Sequence, residues 1–112
     1  MLKTILLLGL CVSVVGCGSP DMYSWGRYEK LVYGMYRAPG KVTPSVQVEH
    51  MLKDLEKARS KSKTVPPGFH AHLGYLYNEL GQLELARAQF EAEKNLYPES
   101  AKFMDRLISN TN

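Results

Sequence analysis

Cysteine is almost absent from this 112-residue chain: Cys11 lies inside an apolar run near the start, and Cys17 follows that run directly. With the run removed a single thiol remains, so no disulfide framework supports the fold and packing alone must hold it. Charge of one sign is also scarce, with 14 Lys and Arg against 11 Asp and Glu, and the signs interleave along Lys53, Asp54, Glu56, Lys57 and Arg59. That pattern excludes the basic stripe of a nucleic-acid-binding protein. One short basic run exists, Lys57, Arg59, Lys61 and Lys63. It reads as the solvated end of a helix, with anionic lipid or glycan as the alternative contact. No G-x-S-x-G motif and no Gly-rich phosphate loop is present. No convincing strand alternation is present either, since proline and the neighbouring helical pattern override the faint alternation of Lys41 to Val48.

What is present begins with Lys3, then an apolar stretch from Ile5 to Val15, then Val14-Val15-Gly16-Cys17. Eleven apolar residues are too few to span a bilayer, which takes about 20, but they suit the core of a secretory signal. The last four residues resemble the lipobox of bacterial lipoproteins: an aliphatic residue at −3, a small one at −1, then the cysteine whose thiol accepts diacylglycerol. The resemblance implies a cleaved signal peptide at 1–16, lipidation (palmitate included) at Cys17, a tether over 17–26 and a folded domain over 27–109. More than one acyl chain gives stable anchoring. In enterobacterial lipoproteins Asp after the cysteine retains the protein at the inner membrane. Gly18 stands there, so the periplasmic leaflet of the outer membrane is the expected location.

Beyond the tether the periodicity is helical. Tyr28, Leu31, Val32, Met35 and Tyr36 form one apolar stripe, ended by Ala38-Pro39-Gly40. Thr43-Pro44 supplies an N-cap and an N1 proline for a second helix that buries Val48, Met51, Leu52, Leu55 and Ala58. Pro66-Pro67 opens a third, with Phe69, Leu73, Leu76, Tyr77 and Leu80 on one face, and Gly81 stops it. A fourth runs from about Leu83 to Tyr97. After Pro98 a fifth carries Phe103, Met104, Leu107 and Ile108. The expected fold is therefore all-α, a short antiparallel helical-hairpin array of about five helices.

With Pro67 as position 1 of a 34-residue unit, Leu73 and Gly74 fall at 7 and 8, Tyr77 at 11, Gly81 at 15, Ala86 at 20, Phe90 at 24 and Pro98 at 32. This resembles the tetratricopeptide repeat over residues 67 to 100. Gly74 and Ala86 are small where paired helices cross, and Tyr77 and Phe90 fill the space between them. Two positions depart: His70 stands where a bulky aromatic is usual, and Glu93 where alanine is usual. The preceding pair, 27 to 61, lacks these residues in register and is either a degenerate repeat or a plain hairpin.

Tyr-Ser-Trp-Gly after the lipobox, Pro-Pro-Gly before the repeat and Tyr-Pro-Glu-Ser-Ala-Lys-Phe-Met-Asp near the end together resemble a family of short bacterial lipoproteins. That family's neighbouring genes tend to encode a lipoprotein similar to the curli secretion channel and another small lipoprotein. The resemblance implies an envelope protein as partner.

The chain carries little that points to catalysis. His70 and His72, two apart on a helix, point about 200° away from each other and cannot share a metal. His70 reads as a packing residue and His72 as solvent-facing. Glu91 and Glu93 diverge in the same way, so no glycosidase-like pair is indicated. The expectation is no enzyme, cofactor or metal. In tetratricopeptide arrays positions 2, 5, 9, 12 and 13 commonly face the ligand, which by resemblance selects Gly68, Ala71, Tyr75, Asn78 and Glu79. Tyr75 offers apolar area with a polar tip, as a partner or as packing on the preceding pair. Trp25 and Tyr33 lie off the core stripe and are further candidates. The expected function is a lipid-anchored adaptor or stability factor of an envelope complex, with a peptidoglycan-associated or cell-wall-enzyme regulatory subunit as the alternative.

Overall fold

The computed structural model describes residues 22–111. The signal region, Cys17 and the start of the tether lie outside them. Five helices follow one another: α1 (Tyr28–Arg37), α2 (Pro44–Ser60), α3 (Phe69–Glu79), α4 (Leu83–Leu96) and, after a 3-10 turn at Pro98–Ser100, α5 (Ala101–Ser109). Among the described residues no strand forms, and no helix is long and apolar enough to cross a membrane. The domain is an all-α hairpin array.

Each boundary has a local cause. Thr43 accepts a hydrogen bond from the Val46 backbone N–H (3.4 Å), and Pro44 occupies N1, where its missing donor costs nothing. Gly81, at φ +72°, reverses the chain, and the Gln82 N–H returns to the Tyr77 carbonyl (2.9 Å). Pro98 has no N–H to continue α4 and instead begins the 3-10 turn.

Among the described residues the α3–α4 hairpin is the most closely packed pair of helices. A Cβ on Gly74 would lie 2.5 Å from Phe90 Cε1 and 3.1 Å from the Ala86 carbonyl oxygen, so hydrogen alone fits there. Phe69, Leu73 and Leu76 are fully buried. Each contributes about 1.5–3 kcal/mol by leaving water. α3 is central, packed between α2 and α4, and α5 closes the far side of α4 through Met104.

The first pair repeats the second. In α2 the buried positions are Gln47, Met51, Asp54 and Ala58. Along α4 and its end they are Ala86, Phe90, Glu93 and Tyr97, each 39 residues later. Gly26 and Gly68 precede the first helix of each pair, and Leu31 and Leu73 are buried within it, here 42 residues apart. The three-residue discrepancy is the difference between the connections, residues 38–43 against 80–82. Gln47 stands where the second pair has Ala86, and α1 accordingly lies further from α2 than α3 from α4.

Several expected core positions are not core. Tyr36 is 80 % exposed and Phe103 57 %, and Leu52 and Leu80 are also exposed. A helical stripe wider than its neighbour leaves its margins in water, and α1 and α5 are the ends of the array. Tyr23 to Gly26, read as tether, lie against the domain. Tyr23 pairs with Thr64 in an isolated parallel bridge, the Ser24 N–H donates to the Thr64 carbonyl (2.9 Å), and the Tyr23 ring meets the edge of Tyr97.

Candidate functional site

The central helix is fixed by buried polar groups, and these aim its exposed residues. α3 has no side-chain cap of its own, because Gly68 occupies the N-cap in the left-handed region. Glu93, 3 % exposed, supplies the cap from α4: Oε1 accepts the Gly68 N–H (2.6 Å) and Oε2 the Ala71 N–H (3.3 Å). A carboxylate is well placed at the positive end of a helix dipole. The first pair uses the same arrangement. Asp54 of α2 accepts the Arg27 N–H (2.8 Å) at the start of α1, and a Cβ on Gly26 would collide with that carboxylate at 2.5 Å.

His70 and His72 point to different neighbours, as two-residue spacing requires. His70 is buried, its Nδ1 hydrogen-bonded to Gln89 Oε1 (2.7 Å) on α4. His72 is not solvent-facing. It is half-buried toward α2, its Nε2 hydrogen-bonded to Gln47 Oε1 (3.0 Å), between the rings of Tyr28 and Tyr75. α3 has packed neighbours on both sides, so a position opposite the α4 face meets α2 rather than water. Burial lowers the His72 pKa below its ordinary 6.5. Burial, then the negative charge of Glu93, raises that of Tyr28. Tyr97, whose hydroxyl donates to the buried Val65 carbonyl, is pushed up to about 12, chiefly by burial.

Tyr75 stacks on His72 with ring planes 27° apart and remains 42 % exposed. It stands between two depressions. One, about 210 Å³, is lined by Met35, Pro39, Gly40, Val42, Pro44, Gln47, Tyr75 and Glu79. The other, about 150 Å³, is lined by Tyr75, Asn78, Phe90, Leu107, Asn110 and Thr111. Both are below the roughly 300–1,000 Å³ of a small-molecule site and match single side chains instead. Tyr75, Asn78 and Glu79 are therefore brought together as an exposed ridge. Gly68 and Ala71 are not part of it: Gly68 lies under the Tyr28 hydroxyl and donates to Glu93, and Ala71 packs against the core.

Trp25 and Tyr33 form no single site with the ridge. Trp25 packs on Tyr23 and Tyr28, near the start of α1. Tyr33 is on the outer face of α1, with the Arg37 guanidinium 5.3 Å from its ring centre. Cys17 lies outside the described residues. The sequence reading missed the walls around Tyr75: the α1–α2 turn supplies Pro39 and Val42, the start of α2 supplies Pro44, and α5 and the residues after it supply Leu107 and Thr111. No spacing rule joins segments so far apart in the chain. Among the described residues no group of three or more His, Cys, Asp or Glu is placed to hold a metal ion.

Fold and surface together define a small helical-hairpin protein with a side-chain-sized groove on each flank of one exposed tyrosine. The chain belongs to the DUF4810 family, described as a domain of unknown function, whose model matches residues 22–107. No curated protein and no solved structure matches it.

Proposed function

We propose that the chain is a lipid-anchored, non-enzymatic adaptor of the cell envelope. It is acylated at Cys17, held at the periplasmic leaflet of the outer membrane, and binds another envelope protein through the Tyr75 ridge. The curli-secretion-channel-like lipoprotein implied by the family resemblance is one partner to test. The observation that carries the reading is Tyr75, an aromatic side chain stacked on His72 yet 42 % exposed, with a recess on either side. A preordered tyrosine loses little entropy on contact, and its hydroxyl keeps a partner while its ring is covered. Asn78 and Glu79 supply the polar rim.

The test is photocrosslinking in intact cells from a crosslinking residue at position 75, with one at position 25 as a second probe. The expected outcome is one envelope protein captured from position 75. Recovery of no protein from either position overturns the adaptor reading. Sedimentation with purified peptidoglycan, lost on replacing Tyr75, favours the cell-wall alternative. Cys17→Ser checks the anchor: the variant should leave the membrane fraction, and its retention there refutes acylation as the tie.

A further inference from the structure

The short basic run acquires a location in three dimensions. Lys57 and Lys61, one turn apart at the end of α2, and Lys63 beyond it line a depression of about 240 Å³ whose remaining walls are Tyr23, Ser24, Trp25 and Gly26. No acidic side chain is among these walls. The ion pairs of the described residues involve Arg27, which neutralises Asp54 behind Gly26, together with Lys53 and Lys94, but none of these three lysines. The negative end of the α2 dipole, equivalent to about half a charge, offsets only part of three full positive charges. What remains is a concave cationic surface edged by Trp25, itself 42 % exposed.

We propose that this depression seats the phosphate headgroup of an anionic phospholipid in the leaflet to which the chain is anchored. The inference rests on acylation of Cys17. Met22 is five residue steps beyond Cys17, and at no more than ~3.6 Å per step it cannot lie further than about 18 Å from the acylated residue. Tyr23 to Gly26 then enter the depression directly, so the lysines are held within reach of the headgroups. Trp and Tyr rings favour that depth, and juxtamembrane lysines are attracted to anionic lipid. The headgroup phosphate completes the charge, while its acyl chains remain in the bilayer that holds the protein's own.

Trp25 is the sole tryptophan of the chain and reports on the depression directly. The full-length acylated protein is reconstituted into vesicles of phosphatidylcholine alone and into vesicles also containing phosphatidylglycerol. Flotation and quenching of Trp25 by a headgroup-labelled lipid are then measured. The protein should float with both, and quenching should be stronger with phosphatidylglycerol. A lysine near the surface is worth ~1 kcal/mol, or about fivefold, so Lys57→Gln, Lys61→Gln and Lys63→Gln together should reduce the preference by about a hundredfold without abolishing flotation. Equal quenching in the two vesicles, or a triple variant that keeps the preference, overturns the headgroup site while leaving the anchor intact. Failure to float with either vesicle overturns the anchor, and this proposal with it. A change of Trp25 emission on adding inorganic phosphate to the protein in lipid-free detergent, lost in the triple variant, refutes the lipid as the particular ligand.

Discussion

Replacing Glu93 by alanine installs the residue that the repeat pattern expects, and it should destabilise the protein. The side chain is 3 % exposed and accepts two backbone N–H groups, from Gly68 at 2.6 Å and Ala71 at 3.3 Å. A hydrogen bond to a charged acceptor is worth about 1.5–3 kcal/mol net, and an orphaned buried donor costs about 1–3 kcal/mol. The longer bond contributes the smaller share, and relief of the buried charge offsets part of the loss. The net cost of Glu93→Ala is about 3 kcal/mol, against a total of roughly 5–13 kcal/mol for a domain of this size. At a urea slope of ~1.5 kcal/mol per molar the midpoint falls by about 2 M, read by far-ultraviolet circular dichroism. Glu93→Gln keeps one acceptor oxygen and should lose about half as much, ~1.5 kcal/mol. Asp54→Ala, removing the equivalent cap of α1, should be additive with it, since the two caps serve different helices. A Glu93→Ala protein with an unchanged or higher midpoint refutes the capping argument.

Gly74→Ala pushes a methyl into the Phe90 ring and should cost about 1–3 kcal/mol. A double-mutant cycle with Phe90→Leu should show coupling between the two, and simple additivity counts against that contact. His72 binds its proton less readily when folded than its ordinary value of 6.5, so the unfolded chain takes up the proton first and stability is lost as pH falls below that value. His72→Gln should flatten this slope in denaturation curves between about pH 5 and 8, and parallel curves for the two proteins refute it. Tyr97→Phe leaves the Val65 carbonyl without its hydroxyl donor and should cost about 1–3 kcal/mol by thermal unfolding. In the native protein the Tyr97 phenol should resist alkaline titration to about pH 12, and ionisation near 10 rejects its burial.

The helices and their order were legible because apolar spacing, Thr43-Pro44, Gly81 and Pro98 act locally, within a turn of where they are read. Gly74, Ala86 and Phe90 were legible for a related reason: the repeat pattern encodes a single helix crossing, and that crossing is what the hairpin forms. Exposure was harder to read. Tyr36 and Phe103 satisfy a helical stripe, but periodicity cannot reveal that α1 and α5 end the array and leave those flanks uncovered. His72 failed in the opposite direction, because the sequence does not show that α2 lies beside that face of α3. The equivalence of the two pairs was hidden by three residues: the longer α1–α2 turn shifts the first helix against the second, so no single offset aligns both.

Glu93 was recognised as a departure from the pattern without a reason, and the reason connects the repeat to the surface. Each pair lacks a capping side chain at the start of its first helix and borrows a carboxylate from its second, across 25 to 27 residues of chain. Local rules cannot anticipate a cap delivered from so far away. The arrangement also orders the two ends of the molecule. Asp54 holds Gly26 and Arg27, and thereby the chain entering from Trp25, at the end of α2 where Lys57 and Lys61 lie. Gln47, ten to fourteen residues earlier on the same helix, reaches the Tyr75 groove through His72. At about 1.5 Å per residue, the lysine depression and the Tyr75 groove are separated by roughly 15–21 Å along α2. A headgroup seated at the lysines, as proposed, therefore lies that far along α2 from the Tyr75 ridge. That separation allows the proposed lipid site and the proposed partner surface to be disabled independently.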